Sequence, residues 1–115
     1  MTKVSTIDPL KHYQWGDGCD GWNFVDETTL SVKREGMPAG TSEVLHYHQY
    51  AQQFFFMLKG TATFEIDNET IIVNEQEGIH IKAGQKHRIS NHTAEAIEFI
   101  LSSQPSTAGD RHNTP

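Results

Sequence analysis

Between residues 28 and 102 apolar and polar positions alternate with a period of two, and Gly, Pro, Asn or Asp interrupts the alternation at short intervals. That is the pattern of short strands with one buried face. No long segment repeats its apolar residues at helical spacing with caps at both ends. The pattern predicts strands over Thr28–Glu35, Ser42–His48 and Gln53–Lys59. The run "TATFEIDNETIIVNE" then reads as a hairpin: Phe64 and Ile66 alternate with polar residues, Asp67, Asn68 and Glu69 turn the chain, and Ile71–Val73 returns. Further strands are expected at Ile79–Lys82, His87–Asn91 and residues 96–102. Short antiparallel strands joined by tight turns must stack or close on themselves to hide their edges, so the fold class is all-β, a single β-barrel or double-sheet jelly roll. Residues 28–102 form that barrel. Residues 1–27, with the Gly/Asp loop "WGDGCDGW", complete it, and the polar segment 103–115 is expected to be mobile or draped over the surface.

Composition narrows the function classes. A chain of 115 residues suits one domain with one core. The net charge of -6, with no basic cluster, argues against a nucleic-acid surface. No apolar run approaches the length of a membrane span, and no charged-then-apolar leader opens the chain. Cys19 is the single cysteine, so no intrachain disulfide can form, and a cytoplasmic location is the expectation.

The chemistry is concentrated in "HYHQYAQQFFFMLKG", residues 46–60. In a strand, residues i and i+2 share a face, so His46 and His48 project together and their imidazoles can reach one ion. Gln53 opens the next strand, where the hairpin return can bring it beside the pair. His87 follows a glycine turn and opens another strand. Three histidines and an amide oxygen would make a four-ligand centre with positions left for water or a ligand. Two other readings stay open: a three-histidine centre without Gln53, and histidines that hold no metal.

These residues carry a resemblance to the cupins. The stretch "GTSEVLHYHQYAQQFFFMLKG" is similar to the first cupin motif, with Gly40, His46, His48, Gln53 and Gly60 in register. The stretch "QEGIHIKAGQKHRISN" is similar to the second, with Gly84, His87 and Asn91 matching, while Lys82 and Gln76 stand where that motif has proline and glycine. The resemblance implies an RmlC-like barrel, pairing as a homodimer, and one divalent transition-metal ion per chain (Mn, Fe, Co, Ni, Cu or Zn) on His46, His48, Gln53 and His87. It also departs from the pattern in one chemical respect: Gln53 replaces the glutamate ligand. A neutral ligand set leaves the ion's full charge, which favours an anionic oxygen ligand such as a carboxylate or enolate.

Cupins include dioxygenases, decarboxylases, isomerases, epimerases, lyases and non-catalytic ligand-binding domains, and fold does not choose among them. The first expectation is a metal-dependent isomerase, epimerase or lyase acting on a small oxygen-rich acid or sugar derivative. A dioxygenase and a non-catalytic ligand-binding protein are the alternatives. Strand parity assigns three further residues to the ligand pocket: Arg34, if Leu30 and Val32 face inward, and Phe55 and Met57, which share Gln53's face; Tyr50, in the turn, can reach its rim. The same parity points Glu43 and Tyr47 outward and leaves the pocket without a clear acid or lysine base. Phe54, Phe56 and Leu58 lie on the opposite face of their strand, where a second sheet or another subunit must cover them.

Overall fold

A computed structural model describes residues 2–114. The chain forms eleven strands: β1 (Lys11–Trp15), β2 (Cys19–Asp26), β3 (Ser31–Met37), β4 (His46–Tyr47), β5 (Gln52–Lys59), β6 (Ala62–Ile66), β7 (Glu69–Val73), β8 (Gly78–Ile81), β9 (His87–Ser90), β10 (Ile97–Gln104) and β11 (His112–Asn113). They make two sheets, one ordered β1-β2-β3-β10-β5-β8 and the other β11-β4-β9-β6-β7. All strand pairs are antiparallel. The fold is all-β and of the double-sheet jelly-roll kind. No helix among the described residues is long and apolar enough to cross a membrane.

The core fills the space between the sheets. Gln53, Phe55 and Met57 of β5 and Ile97, Phe99, Leu101 and Ser103 of β10 point into it, as period-two alternation requires. Phe55 stands edge-on to Phe64 of the facing sheet at 5.0 Å between ring centroids. The Asp67–Asn68 turn between β6 and β7 has positive φ at both residues, 47° and 70°, which is what a two-residue hairpin loop needs. Gly60 is held at φ 80°, and a Cβ there would lie 2.6 Å from a methyl of Ile97, so the residue after β5 has to be glycine.

Two sequence expectations are corrected by the structure, and a third is narrowed to one of its alternatives. The first concerns β3. Ser31 and Met37 are buried at its ends, and Lys33 and Glu35 share their face; Leu30 is exposed, and Val32 and Arg34 are on the outer side. Apolar residues lie on both faces of this segment, so hydrophobic parity chose the wrong one. The second is the expected strand Ser42–His48. Only His46 and Tyr47 are regular strand, and Ser42 makes an isolated bridge to Ser90. The third is the segment after β10. It lies draped, with its strand β11 paired to β4. Its Asp110 carboxylate accepts hydrogen bonds from the backbone N–H of Gln49 (2.8 Å), Tyr50 (3.0 Å) and Ala51 (3.0 Å). Thr114 N–H donates to the carbonyl of Leu45, and Ser106 N–H to that of Thr28. Of the two arrangements expected for this segment, the draped one is seen.

Candidate metal centre

His46 on β4 and His87 on β9 are direct cross-strand partners. His48 follows at the end of β4, and Gln53 is the second residue of β5, in the other sheet. All four are buried. The ring centroids of His46 and His87 are 4.4 Å apart, those of His46 and His48 5.0 Å, and those of His48 and His87 5.4 Å. One nitrogen from each ring falls within 4.8 Å of the others, a grouping that could hold a metal ion.

The hydrogen bonds around the rings orient their lone pairs. Nδ1 of His46 lies 2.7 Å from the carbonyl of Val44, and Nδ1 of His87 lies 2.8 Å from that of Gln85. A carbonyl only accepts, so each Nδ1 carries the proton and each Nε2 a lone pair. The carbonyls fix both rings in the tautomer a metal ligand needs. Burial lowers the pKa of all three rings, His46 to about 3 and His48 to about 4, so they are neutral near pH 7. Nδ1 of His48 is buried with no partner among the described residues. Gln53 turns its Oε1 to within 3.1 Å of His87 Nε2, while its Nε2 donates to Ser103 Oγ at 3.1 Å. Unpaired electron-rich atoms facing one another in a buried space fit a cation, so these residues suit the expected metal.

The histidines open on a cavity of about 280 Å³ between the sheets, lined by His46, His48 and Gln53. Trp15, Phe55 and Leu101 supply its apolar wall. Tyr13, Lys33, Glu35, Glu43 and Arg111 supply polar groups. A wider hollow of about 490 Å³, beside Glu65, Asp67, Lys86 and Arg88, includes no histidine, and its Arg88 is already paired with Glu65.

Of the pocket residues expected from the sequence, only Phe55 lines this cavity. Met57 is fully buried in the core, the Tyr50 side chain is exposed, and Arg34 points away and donates to Glu98 at 2.5 Å. The parity of β3 that misplaced Arg34 also hid Lys33 and Glu35. Glu43 turns inward because residues 43–45 belong to no strand and need not alternate. It accepts from the N–H of Ile89 at 3.2 Å, lies 4.0 Å from His46 Nδ1, and has Arg111 at 3.7 Å. Burial raises its pKa to about 8 against the opposing pull of Arg111.

The chain belongs to the cupin family: residues 33–103 match the model of the cupin domain. It is 31% identical over 79 residues to quercetin 2,3-dioxygenase of Bacillus subtilis, which covers 67% of this chain and 23% of that protein. It is 27% identical over 52 residues to the tetracenomycin polyketide synthase protein TcmJ of Streptomyces glaucescens, covering 45% of this chain and 35% of that one. The chain therefore spans well under half the length of either relative. Among solved structures, the polyketide cyclase RemF of Streptomyces resistomycificus superposes with a TM-score of 0.83 over 100% of this chain and 86% of that chain, at 16% identity.

Proposed function

We propose that this cupin is a metal-dependent enzyme of the isomerase, epimerase or lyase type, acting on a small oxygen-rich acid or sugar derivative. One observation carries the reading: a single cavity joins a cluster of neutral metal-ligating groups to acids and cations that can handle protons and charge. His46, His48, His87 and Gln53 would hold one divalent transition-metal ion per chain, which when bound would polarise a ligand oxygen. None of these four ligands cancels the ion's charge. An anionic ligand is favoured for that reason, and Lys33 replaces Arg34 as the cation available to it, while Arg111 is held by Glu43. The cavity is at the small end of ligand sites, which supports a small molecule over a large one.

A metal-dependent dioxygenase is the second reading, favoured by the similarity to quercetin 2,3-dioxygenase. Two chains pairing as a homodimer through the outer face of the six-stranded sheet, in a cytoplasmic setting, complete the proposal.

The test begins with metal. Untagged protein should carry close to one transition-metal ion per chain, and His48→Ala should lose most of it. If refolded wild type binds none of Mn, Fe, Co, Ni, Cu or Zn, the reading fails. Conversion of a small acid or sugar derivative without oxygen consumption supports the first reading; oxygen uptake supports the second.

A further inference from the structure

We propose that Glu35 is the proton-transfer base of the histidine cavity and Tyr13 its positioning residue: the Glu35 carboxylate takes a proton from carbon beside a carbonyl, and the Tyr13 hydroxyl holds that carboxylate in place. The pair supplies the base that the metal-dependent reading, on which this proposal rests, otherwise lacks.

Tyr13, Gly21 and Glu35 stand in one row across β1, β2 and β3. The Tyr13 ring crosses the middle strand to reach Glu35, and its hydroxyl donates to Glu35 Oε2 at 2.6 Å. Only glycine permits this crossing. A Cβ on residue 21 would sit 2.1 Å from the ring's Cζ and 2.4 Å from its oxygen. The sequence thus gives up a side chain on β2 so that a phenol can lie down over it, pointed at a carboxylate in the cavity wall.

The cavity's other acid is committed elsewhere. Glu43 is occupied by the Ile89 N–H and by Arg111. Glu35 Oε1 has no hydrogen-bond partner among the described residues, so one oxygen is oriented and the other is free. Lys33, next but one on the same face of β3, places Nζ 5.6 Å from the centroid of the Tyr13 ring. Burial pushes the Glu35 pKa above the ordinary carboxylate range, against the pull of the Tyr13 hydrogen bond, Lys33 and Arg111. A base with a raised pKa is better matched to abstraction from carbon near neutral pH.

In the step itself the C–H bond breaks and its proton passes to Glu35 Oε1. The bonding pair becomes the C=C of an enolate, and the carbonyl π pair moves to oxygen, on the histidine side of the cavity. Reversal returns a proton to carbon from Glu35. No oxidant or reductant is needed.

The experiment uses zinc-loaded protein in D₂O with pyruvate and hydroxyacetone as probes. Calorimetry reports their binding, and proton NMR reports exchange of the hydrogens beside the carbonyl. Wild type should bind at least one probe and accelerate its exchange. Glu35→Gln should keep zinc and probe affinity while exchange falls about a hundredfold or more. Glu35→Asp should recover part of the rate, and Tyr13→Phe should lose about tenfold through the missing hydrogen bond. A readout without turnover comes from metal-free protein: Tyr13 absorption should differ between wild type and Glu35→Gln, because its hydroxyl donates to the carboxylate. Binding without exchange, exchange that survives Glu35→Gln, or no absorption difference overturns this pair and leaves the metal-dependent reading standing. Failure to bind either probe removes the small-oxygen-ligand reading and this proposal with it.

Discussion

Gln53 Oε1 faces His87 Nε2 at 3.1 Å, two electron-pair donors with no proton between them. The His87 proton is on Nδ1, spent on the Gln85 carbonyl at 2.8 Å. The Gln53 amide is held the right way round by Ser103 Oγ, which accepts from its Nε2. The pair is arranged to share a cation rather than each other.

Gln53→Glu should therefore be tolerated, because the Ser103 hydroxyl can rotate from accepting to donating. With a metal bound, the ion should be held at least as tightly. A small anion should bind more weakly, while a matched neutral analogue changes little. Two unit charges about 4 Å apart interact by about 4 kcal/mol at an effective dielectric of about 20, so even partial expression is measurable. Calorimetry with both ligands checks this; equal weakening of the two would remove the charge argument.

Asp110→Ala should destabilise the fold by about 2 kcal/mol, since a buried carboxylate accepting backbone N–H bonds is lost. That corresponds to a melting temperature lower by roughly 10 °C in a domain of this size. Metal affinity should drop as well, because the three N–H donors lie between His48 and Gln53. Truncation after Gln104, which leaves β10 whole, should show both effects, where a mobile tail would show neither. Thermal melts with metal titrations separate these outcomes.

Glu43 gives a pH dependence with a definite sign. Its folded pKa, about 8, is above its ordinary 4.5, so the unfolded chain ionises first as pH rises. The stabilising contribution is fully present below pH 4.5 and is lost progressively up to about pH 8. Metal-free wild type should lose stability relative to Glu43→Gln across that window, by at most about 1.4 kcal/mol per pH unit. Urea denaturation of both proteins at several pH values gives the difference directly. The histidines titrate in both and largely cancel.

Phe54 is 45% exposed, and its neighbours on the outer sheet face, Phe56 and Ile100, are half-buried. If this face pairs two chains, Phe54→Arg should shift light scattering from dimer to monomer and leave the metal content unchanged. A wild-type monomer at high micromolar concentration would leave this face without a second copy.

The histidine cluster was legible because its signal is local. Parity brings His46 and His48 to one face, and the glycine before β9 delivers His87 opposite. The Asp67–Asn68 turn was legible for the same reason. What the sequence concealed has no period. Lys33 and Glu35 face inward on a strand whose outer side carries Leu30, Val32 and Arg34, so apolar content points the wrong way. Glu43 lies where the chain leaves regular strand. Asp110 acts through side-chain bonds to backbone atoms some sixty residues earlier, which no local pattern encodes. The absent side chain of Gly21 becomes informative only once the Tyr13 ring is found lying over it.

The pairing of β11 with β4 has a practical side. Asn113 is the direct strand partner of His46. A polyhistidine segment attached directly after Thr114 would start just beyond that pairing and set a second cluster of imidazoles close to the first. Tags for metal analysis therefore belong at the other end of the chain, or should be cleaved before the metal is counted.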